Sequence, residues 1–485
     1  MTSRMAPGNW AQKLAIALCL HVSPGWATES ANRAAATIVA NELWAIARSH
    51  NVPALGLVIV DDGKPIVSSV EGAGAQTPFR LGSITKSFTA LTLLTLQAEL
   101  DKPLADVIPR TTLDTFYRNP YPESVRRRDL LALSAGFADL GRAEFDSNAG
   151  RPDAPEGATP RNRLAHHGRS RATAWPPGLH HSYTNYAPAL TAQAIETLGG
   201  APFPVLLRTN VLDRLGMDDS TLEPHSNLPG GFQTDGRTEI PYWHMSYPSF
   251  GALNAPVNDV ARFITMLANH SAVGHRPVFP NAMVAPMFRP NARLLDIGYG
   301  AGMYGRVVDG HVVHGHGGDA DGYRSRFGIL PEARRGYFVV INTDNPRLLR
   351  RLSSRLDRHL VRGLPQRPSP KAAEIDLAGL AGTYYPSSVR FGLGSWREGR
   401  RARAEITVDD GLVTFVRKDR TVELIPIDAH RFRRKGDPGA TIAFVERKGR
   451  LFFHGVLGNW GRLPAHCQTA KSPWPQGFLD RCLYE

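Results

Sequence analysis

The chain has 485 residues, of which 42% are hydrophobic and 21% are charged, and its formal net charge is +13. This length is too great for one ordinary core and predicts two or three domains, and the composition is typical of a soluble globular protein. Arginine carries most of the positive charge in scattered groups without a nucleic-acid-binding motif beside them. The charge therefore predicts a solvated basic face and no nucleic-acid partner.

The N-terminus has the pattern of a secretory signal peptide. Arg4 and Lys13 precede an apolar run at 14–20, and residues 25–27 (Gly-Trp-Ala) form a small-x-small cleavage site. The apolar run is too short for a stable membrane anchor. We therefore expect residues 1–27 to be removed and the protein to be exported, to the periplasm or outside the cell. An ordinary N-terminal helix is the alternative.

Cysteine usage fits an oxidising compartment. The sequence has three cysteines, and cleavage after Ala27 removes Cys19, which leaves Cys467 and Cys482 as a pair. A disulfide between them closes a loop of about 15 residues, which is worth roughly 3 kcal/mol in the chain-entropy model. Two inert buried thiols are the alternative.

The elements before residue 110 follow from hydrophobic patterning and turn residues. We predict a helix at 31–49, strands at 52–60 and 65–70 around a turn at 61–64, a helix at 84–100 and a loop at 101–109. The helix at 84–100 is apolar around most of its circumference, which indicates burial on most sides.

The rest of the chain contains further helices, one long loop and many short strands. We predict helices at 128–136, 187–198, 258–267 and 348–360, strands at 323–330 and 335–342, and a long functional loop at 141–177. A Pro-rich stretch at 363–370 is typical of a linker. Short alternating segments beyond it predict an all-β module, either a small barrel or a sandwich.

A serine and a lysine lie three positions apart at the start of the helix predicted over 84–100. Ser83 and Lys86 share one helix face, and first-turn N–H groups favour developing negative charge on Ser83. A buried lysine loses hydration, which favours its neutral form as a proton acceptor. Ser83 can then attack a carbonyl carbon. Because this spacing also occurs by chance, the pair needs partners elsewhere.

A Tyr-x-Asn pattern occurs twice, at Tyr117/Asn119 and at Tyr183/Asn185. The second pair follows a Pro-Gly turn and directly precedes a helix, which favours it as a second proton acceptor and a substrate-binding amide. Tyrosine is a poor base at its usual pKa of about 10, so a cation such as Lys86 must lower that pKa.

A His-x-Gly pattern also occurs twice, at 166–168 and at His316-Gly317-Gly318. Strand-like residues surround the second, and its glycines permit close backbone approach. An edge strand there offers the N–H of Asp319 which, with the N–H of Ser83, forms a pair that stabilises an oxyanion.

The histidines also suggest a metal site. His314 and His316 would share one strand face, and His180 and His181 lie close to Tyr183 in the sequence. The sequence has no His-Glu-x-x-His motif and no clustered carboxylates beside them. We therefore predict no metal and no cofactor.

Together, the Ser83-x-x-Lys86, Tyr183-x-Asn185 and His316-x-Gly318 motifs resemble those of the serine β-lactamase and penicillin-recognising superfamily. The resemblance is greatest to the class C-type branch, which includes class C β-lactamases, D-alanyl-D-alanine carboxypeptidases and related esterases. It covers about residues 35–362. Supporting segments are 79–83, 130–136, 177–178, 215–217 and 258–263.

The resemblance implies an α+β fold: an antiparallel sheet flanked by helices with an all-helical cluster, followed here by a small C-terminal all-β barrel or sandwich. The expected division is a signal peptide at 1–27, a β-lactamase-like domain at 28–362, a linker at 363–375 and a β domain at 376–485. The site would lie between the helical cluster and the sheet.

The resemblance also implies residue roles. Ser83 would be the acyl-accepting nucleophile, Lys86 its proton partner and Tyr183 the general base for deacylation. Asn185 would contact the substrate amide, and the backbone of His316-Gly317-Gly318 would bind substrate.

Two positions depart from the class C pattern. His316 stands where class C β-lactamases have lysine, so charge pairing with a substrate carboxylate is weaker, as in the esterase and peptidase members. Asp319 adds a negative charge where many relatives carry a small residue. We therefore expect anionic substrates to bind poorly.

The sequence thus predicts an exported serine hydrolase that cleaves an ester or amide through a Ser83 acyl-enzyme and is most similar to esterases. The substrate is a small molecule or a peptide. Within enzymes, the alternative is a D-stereospecific peptidase, DD-carboxypeptidase or β-lactamase. If the protein is not an enzyme, the alternative is a non-catalytic peptide- or glycan-binding protein. The sequence does not specify an oligomeric state.

Overall fold

The computed structural model describes residues 24–109, 113, 117–139, 172–242, 244–245, 247–274, 276–292, 294–388, 403–409, 411–418, 420–468 and 482–484. Within them the chain forms two units, which we call the sheet-and-helix unit (24–361) and the barrel (382–462).

The helices of the described residues are bounded as follows. They are α1 (Pro24–Ser49), α2 (Thr85–Thr95), α3 (Arg127–Leu131), α4 (Tyr186–Gly199), α5 (Phe203–Leu207), α6 (Asp213–Leu215), α7 (Val257–Ala268), α8 (Asn281–Phe288), α9 (Pro346–Val361) and α10 (Ala465–Gln468). A short 3-10 turn at Gly82–Ile84 leads directly into α2.

The strands divide between the two units. Those of the sheet-and-helix unit are β1 (Leu55–Asp61), β2 (Lys64–Glu71), β3 (Pro78–Arg80), β4 (Gly231–Phe232), β5 (Glu239–Ile240), β6 (Asn254–Pro256), β7 (Ala272–Val273), β8 (Arg276–Pro277), β9 (Tyr304–Val308), β10 (His311–Ala320), β11 (Tyr323–Leu330) and β12 (Arg335–Ile341). Those of the barrel are β13 (Gly382–Pro386), β14 (Ala404–Asp409), β15 (Leu412–Arg417), β16 (Arg420–Pro426), β17 (Arg431–Arg433), β18 (Ile442–Arg447), β19 (Arg450–Gly455) and β20 (Trp460–Arg462).

A six-stranded antiparallel sheet in the order β2-β1-β12-β11-β10-β9 is the framework of the first unit. Strand β1 is buried on both faces, because its continuous apolar sequence supplies Leu57 to one side and Val58 to the other. The strand begins at Leu55 rather than at residue 52 as predicted. Pro53 lacks the N–H that a ladder needs, which explains the later start.

Helices cover both faces of this sheet. On one face α1 and α9 pack on β1 and β12, and α9 directs Leu348, Leu352, Leu356 and Leu360 inward at helical spacing. On the other face α7 packs on β1 and β12, and a larger core continues from it into α2, α4 and α5. The predicted antiparallel sheet with flanking helices and a helical cluster is therefore confirmed.

The helix predicted over 84–100 is too long, since α2 ends at Thr95. Gln97 has a φ of 54°, in the left-handed region that does not continue a right-handed helix. Beyond it, Leu100 O accepts a hydrogen bond from Arg128 N (3.0 Å). The helix predicted at 128–136 is also shorter, because α3 ends at Leu131. Leu133 has a φ of 54° as well, so a left-handed residue follows both helices. Hydrophobic periodicity alone does not indicate such positions.

Strands β13 to β20 form a closed antiparallel barrel in chain order. Closure comes from the pairing of the first and last strands, in which Tyr385 lies opposite Gly461. Aromatic side chains fill the interior, where the Phe453 ring contacts the rings of both Phe415 and Phe444. Of the two predicted alternatives, barrel and sandwich, the barrel is the one observed.

A small apolar cluster joins the barrel to the sheet-and-helix unit. It includes Trp175 from the first unit and Phe452 from β19, and Tyr484 stacks on Phe452 at a centroid distance of 5.8 Å. Cys467 and Cys482 lie in the same cluster and are joined by a disulfide, with Cα atoms 6.2 Å apart.

Three sequence predictions fall wholly or largely outside the described residues. They are the signal peptide at 1–27, most of the loop at 141–177 and the rival His-x-Gly pattern at 166–168. The described chain begins with α1 at Pro24, so the cleavage site predicted after Ala27 lies in the first turn of that helix. In the described ranges, no helix has the length and apolar character needed to cross a membrane.

Candidate active site

Ser83 lies in the short turn that leads into α2, at the wall of a cleft of 620 Å³ between the helices and strand β10. Thr85 ties this turn down from both sides. Its Oγ1 donates to Gly82 O (2.7 Å) and accepts a hydrogen bond from Leu253 N (3.1 Å). The serine hydroxyl therefore projects from a turn that is fixed by buried hydrogen bonds.

Lys86 is buried, and its Nζ has three oxygen neighbours. Nζ lies 3.0 Å from Ser83 Oγ, 2.8 Å from Asn185 Oδ1 and 2.9 Å from Phe250 O. The Tyr183 ring centroid is 4.9 Å from the same atom. The structure thus brings Ser83, Lys86, Tyr183 and Asn185 together around one amine.

This geometry is compatible with both protonation states of Lys86. An ammonium has three N–H donors, one for each neighbour. A neutral amine has two, which the carbonyl oxygens of Asn185 and Phe250 accept, and its lone pair then faces Ser83 Oγ. Lys86 can therefore take the Ser83 proton without moving.

The rival pair Tyr117/Asn119 lies elsewhere and serves a loop. Asn119 Oδ1 accepts hydrogen bonds from Tyr121 N (3.1 Å) and Thr173 Oγ1 (3.0 Å). Neither Tyr117 nor Asn119 lines the cleft.

Strand β10 forms the opposite wall of the cleft, and two glycines allow it to approach the serine turn. Gly82 has a φ of 55°, and a Cβ there would lie 2.7 Å from Asp319 N. A Cβ on Gly318 would collide with Leu81 O. Ser325 Oγ on β11 donates to Leu81 O (2.8 Å), which fixes the same contact. The backbone of Asp319 therefore packs directly against the residue before Ser83.

His316 is buried on β10, and both of its ring nitrogens are hydrogen-bonded. Nδ1 lies 2.5 Å from Gly317 O, and Nε2 lies 2.7 Å from the Tyr299 hydroxyl. Burial, reinforced by the nearby Lys86 charge, lowers the pKa of His316 to about 3. The ring is therefore neutral at pH 7, with Nδ1–H donating to Gly317 O and Nε2 accepting from Tyr299.

The Asp319 carboxylate, which the sequence predicts to add negative charge at the rim, is paired with an arginine. Its Oδ1 lies 2.6 Å from Arg324 Nη1, and Arg324 also pairs with Asp344. Two further guanidinium side chains, Arg326 and Arg350, line the same cleft. These guanidinium groups offset the negative charge of Asp319, and poor binding of anionic substrates stays a prediction.

Comparison with known proteins agrees with this geometry. The family model described as Beta-lactamase matches residues 31–361, more than half of the chain. The chain belongs to the beta-lactamase family. The predicted resemblance to this superfamily is confirmed, and the coarse class that follows from it is a serine hydrolase of the beta-lactamase fold.

Solved structures share the fold of this beta-lactamase-family chain. The octameric penicillin-binding protein homologue from Pyrococcus abyssi is 20% identical, with a TM-score of 0.56, covering 88% of this chain and 100% of its own. SurE with D-Leu is 22% identical, with a TM-score of 0.55, covering 90% and 100%. A D-stereospecific amidohydrolase from Streptomyces sp. is 20% identical, with a TM-score of 0.50, covering 66% and 96%. The first two matches are long enough to include barrel residues.

Asp139 is a buried cleft residue of this family member that sequence reasoning missed. Its Oδ1 accepts hydrogen bonds from Thr184 Oγ1 (2.7 Å) and Asn185 N (2.9 Å), at the N-terminus of α4. A carboxylate there complements the helix dipole and fixes the turn that carries Tyr183 and Asn185. No local motif marks Asp139, because its partners lie more than forty residues away in sequence.

Tyr299 is a second missed residue, and it links two predicted histidines. Its ring stacks on His181 at a centroid distance of 4.4 Å, and its hydroxyl contacts His316. His181 Nδ1 in turn lies 2.9 Å from Ala132 O. His314 packs its ring on Phe288 instead. Within the described residues, no group of three or more His, Cys, Asp or Glu side chains is arranged to bind a metal.

Proposed function

We propose that this protein is a serine hydrolase that cleaves esters or amides through an acyl-enzyme on Ser83, with a preference for esters. One observation carries the proposal. Lys86 Nζ lies 3.0 Å from Ser83 Oγ, while two fixed carbonyl oxygens occupy its other hydrogen-bonding directions. A non-catalytic binding protein has no need of this arrangement.

In the proposed acylation step, Ser83 Oγ forms a bond to the substrate carbonyl carbon and its proton passes to Lys86 Nζ. The carbonyl oxygen becomes an oxyanion, for which the N–H groups of Ser83 and Asp319 are the proposed donors. The bond to the leaving oxygen or nitrogen then breaks. The leaving atom takes a proton from Tyr183, which recovers one from Lys86.

Deacylation repeats these steps with water. Tyr183 accepts a proton from water while its own phenolic proton passes to the neutral Lys86 amine, and the water oxygen bonds to the acyl carbon. The bond to Ser83 Oγ then breaks, Ser83 takes a proton from Lys86, and the acid product leaves. Asn185 is the proposed contact for the acyl-side amide or ester oxygen, since its position is fixed by Lys86 and by Asp139 through its backbone N–H.

The neutral state of His316 supports a preference for substrates without a carboxylate at that position. Burial lowers its pKa to about 3, and both ring nitrogens already have partners. A neutral imidazole supplies no charge to pair with a substrate carboxylate.

A second candidate is a D-stereospecific peptidase or DD-carboxypeptidase, and one observation favours it. Arg326 and Arg350 line the cleft, and a guanidinium is suited to binding a terminal carboxylate. A panel of short alkyl esters, D-Ala-D-Ala peptides and nitrocefin distinguishes the candidates by their kcat/KM values. We expect the esters to be turned over fastest.

The test of the hydrolase itself is Ser83→Ala. We expect kcat for the best ester to fall by at least about 10⁴-fold, because the nucleophile is lost. Covalent labelling by a fluorophosphonate probe, detected as added mass on the peptide containing Ser83, should also disappear. Ser354→Ala, which changes an exposed serine on α9, is the matched control and should retain both. Undiminished turnover in Ser83→Ala would sink the assignment and leave the binding-protein alternative.

We also propose that residues 28–362 and 376–485 are separate domains joined by 363–375, and that the protein is exported after removal of 1–27. The mass of the protein recovered from the periplasm or medium of the producing cells tests the proposed export and the removal of residues 1–27. A mature chain that begins at residue 28 is expected, and retention of residues 1–27 in the cell interior would contradict it.

A further inference from the structure

A second cavity, of 350 Å³, lies between the sheet-and-helix unit and the barrel, and we call it the interface cavity. Leu179, Leu295 and Ile297 line it from the first unit, and Gly455 and Val456 line it from the barrel. Its volume falls within the range of about 300–1,000 Å³ typical of small-molecule pockets. The two units therefore enclose a space large enough for part of a substrate.

The interface cavity and the cleft share a wall. Tyr183 and Tyr304 line both. In the proposed mechanism Tyr183 protonates the leaving atom, so that atom lies within hydrogen-bonding reach of its hydroxyl. A substituent on the leaving atom therefore lies beside Tyr183, which also lines the interface cavity.

The two spaces differ in charge. The cleft is lined by Asp319, Arg324 and other charged side chains. Among the described residues around the interface cavity, none is Asp, Glu, Lys or Arg. Burial lowers the pKa of both lining histidines, His181 and His454, in the latter to about 4, so both are neutral at pH 7. A charged group entering this cavity would lose its hydration without gaining a partner.

His454 belongs to these walls without exposing its polar atoms. Its side chain is buried, and neither ring nitrogen has a hydrogen-bond partner among the described residues or is reached by solvent. The neutral imidazole therefore adds no charge and no accessible hydrogen-bonding group, and the cavity favours an apolar occupant.

Hydrogen bonds between the units fix the shape of the interface cavity. Asp296 N and Ile297 N both donate to Ala440 O in the barrel, at 2.9 and 3.1 Å. Asn459 Nδ2 donates to His181 O at 2.6 Å. The barrel is thus a fixed wall beside the catalytic centre.

We propose that the interface cavity is the leaving-group subsite of the hydrolase, and that it selects a neutral apolar substituent such as a medium-length alkyl chain. The proposal rests on the proposed function and assigns a role to the barrel, which is to set substrate specificity. The substrate class is then an ester, or an amide, of an apolar alcohol or amine.

Alkyl acetates test this. Ethyl, butyl and hexyl acetate share one acyl group and have alcohols of similar intrinsic reactivity, so kcat/KM compares leaving-group binding. We expect kcat/KM to rise by about twofold to fourfold per added methylene while the cavity fills. The ratio of hexyl to ethyl acetate should fall at least tenfold in Val456→Trp, which occupies the barrel side of the cavity.

The matched control is Leu412→Trp, which changes an exposed barrel residue that does not line the cavity and should leave the ratio within twofold of the wild type. A second series with ethanol as leaving group, from ethyl acetate to ethyl hexanoate, reports the acyl side. The leaving-group assignment is overturned if Val456→Trp instead lowers the kcat/KM ratio of ethyl hexanoate to ethyl acetate. It is also overturned if neither this ratio nor that of hexyl to ethyl acetate changes.

A binding measurement separates failure of the subsite from failure of the proposed hydrolysis. Hexan-1-ol should raise the Tm of the wild type and of Leu412→Trp but not that of Val456→Trp, because a ligand that binds only the folded state stabilises it. Hexanoate and hexylammonium should give smaller shifts, since the cavity offers no charged partner. If hexan-1-ol does not raise the Tm of the wild type, the subsite assignment is overturned. If hexan-1-ol raises the Tm but no ester is hydrolysed, only the proposed hydrolysis is overturned.

Discussion

Buried polar groups are hydrogen-bonded differently in the cleft around Ser83 and at the interface between the two units. In the cleft, Lys86 has three oxygen neighbours and His316 has a partner at each ring nitrogen. At the interface, the ring nitrogens of His180 and His454 have no hydrogen-bond partner among the described residues, and the rings lie 6.3 Å apart between centroids.

The difference shows how each region is stabilised. Fully bonded polar groups fix one arrangement of side chains, which a catalytic centre needs. The interface instead combines apolar packing around Phe452 with the Cys467–Cys482 disulfide, and these offset the cost of unpaired imidazoles. Three substitutions test this contrast.

Asp139→Asn should have the largest effect, because it weakens the hydrogen bonds that position the Tyr183 turn. We expect kcat/KM to fall about 100-fold, since small displacements of catalytic groups cost that much, and stability to fall by about 3 kcal/mol. Ester kinetics and urea unfolding measure the two. Asp235→Asn is the matched control, because the exposed Asp235 carboxylate also accepts bonds from two backbone N–H groups and a threonine. Equal losses in both variants would contradict the positioning role of Asp139.

Replacing both Cys467 and Cys482 by serine should lower the free energy of unfolding by about 3 kcal/mol, the value for a loop of about 15 residues. The cleft itself makes no contact with the disulfide, so kcat for ethyl acetate should change less than in Asp139→Asn. Urea unfolding of the oxidised wild type, the wild type with dithiothreitol and the double variant measures this. If reduction leaves the wild-type midpoint unchanged, the disulfide does not stabilise the interface.

His454→Phe should have the smallest effect, and only in acid. Burial lowers the folded-state pKa of His454 from 6.5 to about 4, so it contributes stability above pH 6.5 that is lost as the pH falls towards 4. Between pH 7 and pH 5, the free energy of unfolding should fall by about 2 kcal/mol less in the variant than in the wild type. His430→Phe changes an exposed barrel residue, and its free energy of unfolding should fall as much as that of the wild type over this pH range. If the free energy of unfolding depends on pH in the same way in the wild type and in His454→Phe, the buried His454 does not destabilise the interface in acid.

The sequence predicted the elements whose signals are local. The Ser83-x-x-Lys86 spacing, the turn before Asn185 and the glycines around His316 each carry their own pattern, and the structure brings them together. Leucines at helical spacing likewise predicted α9. The alternating strands predicted an all-β module but left barrel and sandwich open, because only the pairing of β13 with β20 decides closure.

Other features depend on contacts between distant segments and left no local signal. Asp139 acts on a turn more than forty residues away, and Tyr299, which precedes β9, hydrogen-bonds to His316 Nε2 on β10. The sequence predicts a negative charge at Asp319 but does not show that Arg324, opposite on β11, pairs with it.

The contact between Gly82 and Asp319 makes one position unusually open to engineering. The spacing of the proposed oxyanion donors is set by backbone packing on backbone, and the Asp319 side chain points to the exposed rim beside Arg324. Substitutions at position 319 can therefore change which substrates enter without moving the backbone N–H that we propose as an oxyanion donor. A library at this position should keep fluorophosphonate labelling of Ser83 while its substrate preferences diverge, and Gly318→Ala, which cannot fit, should lose that labelling.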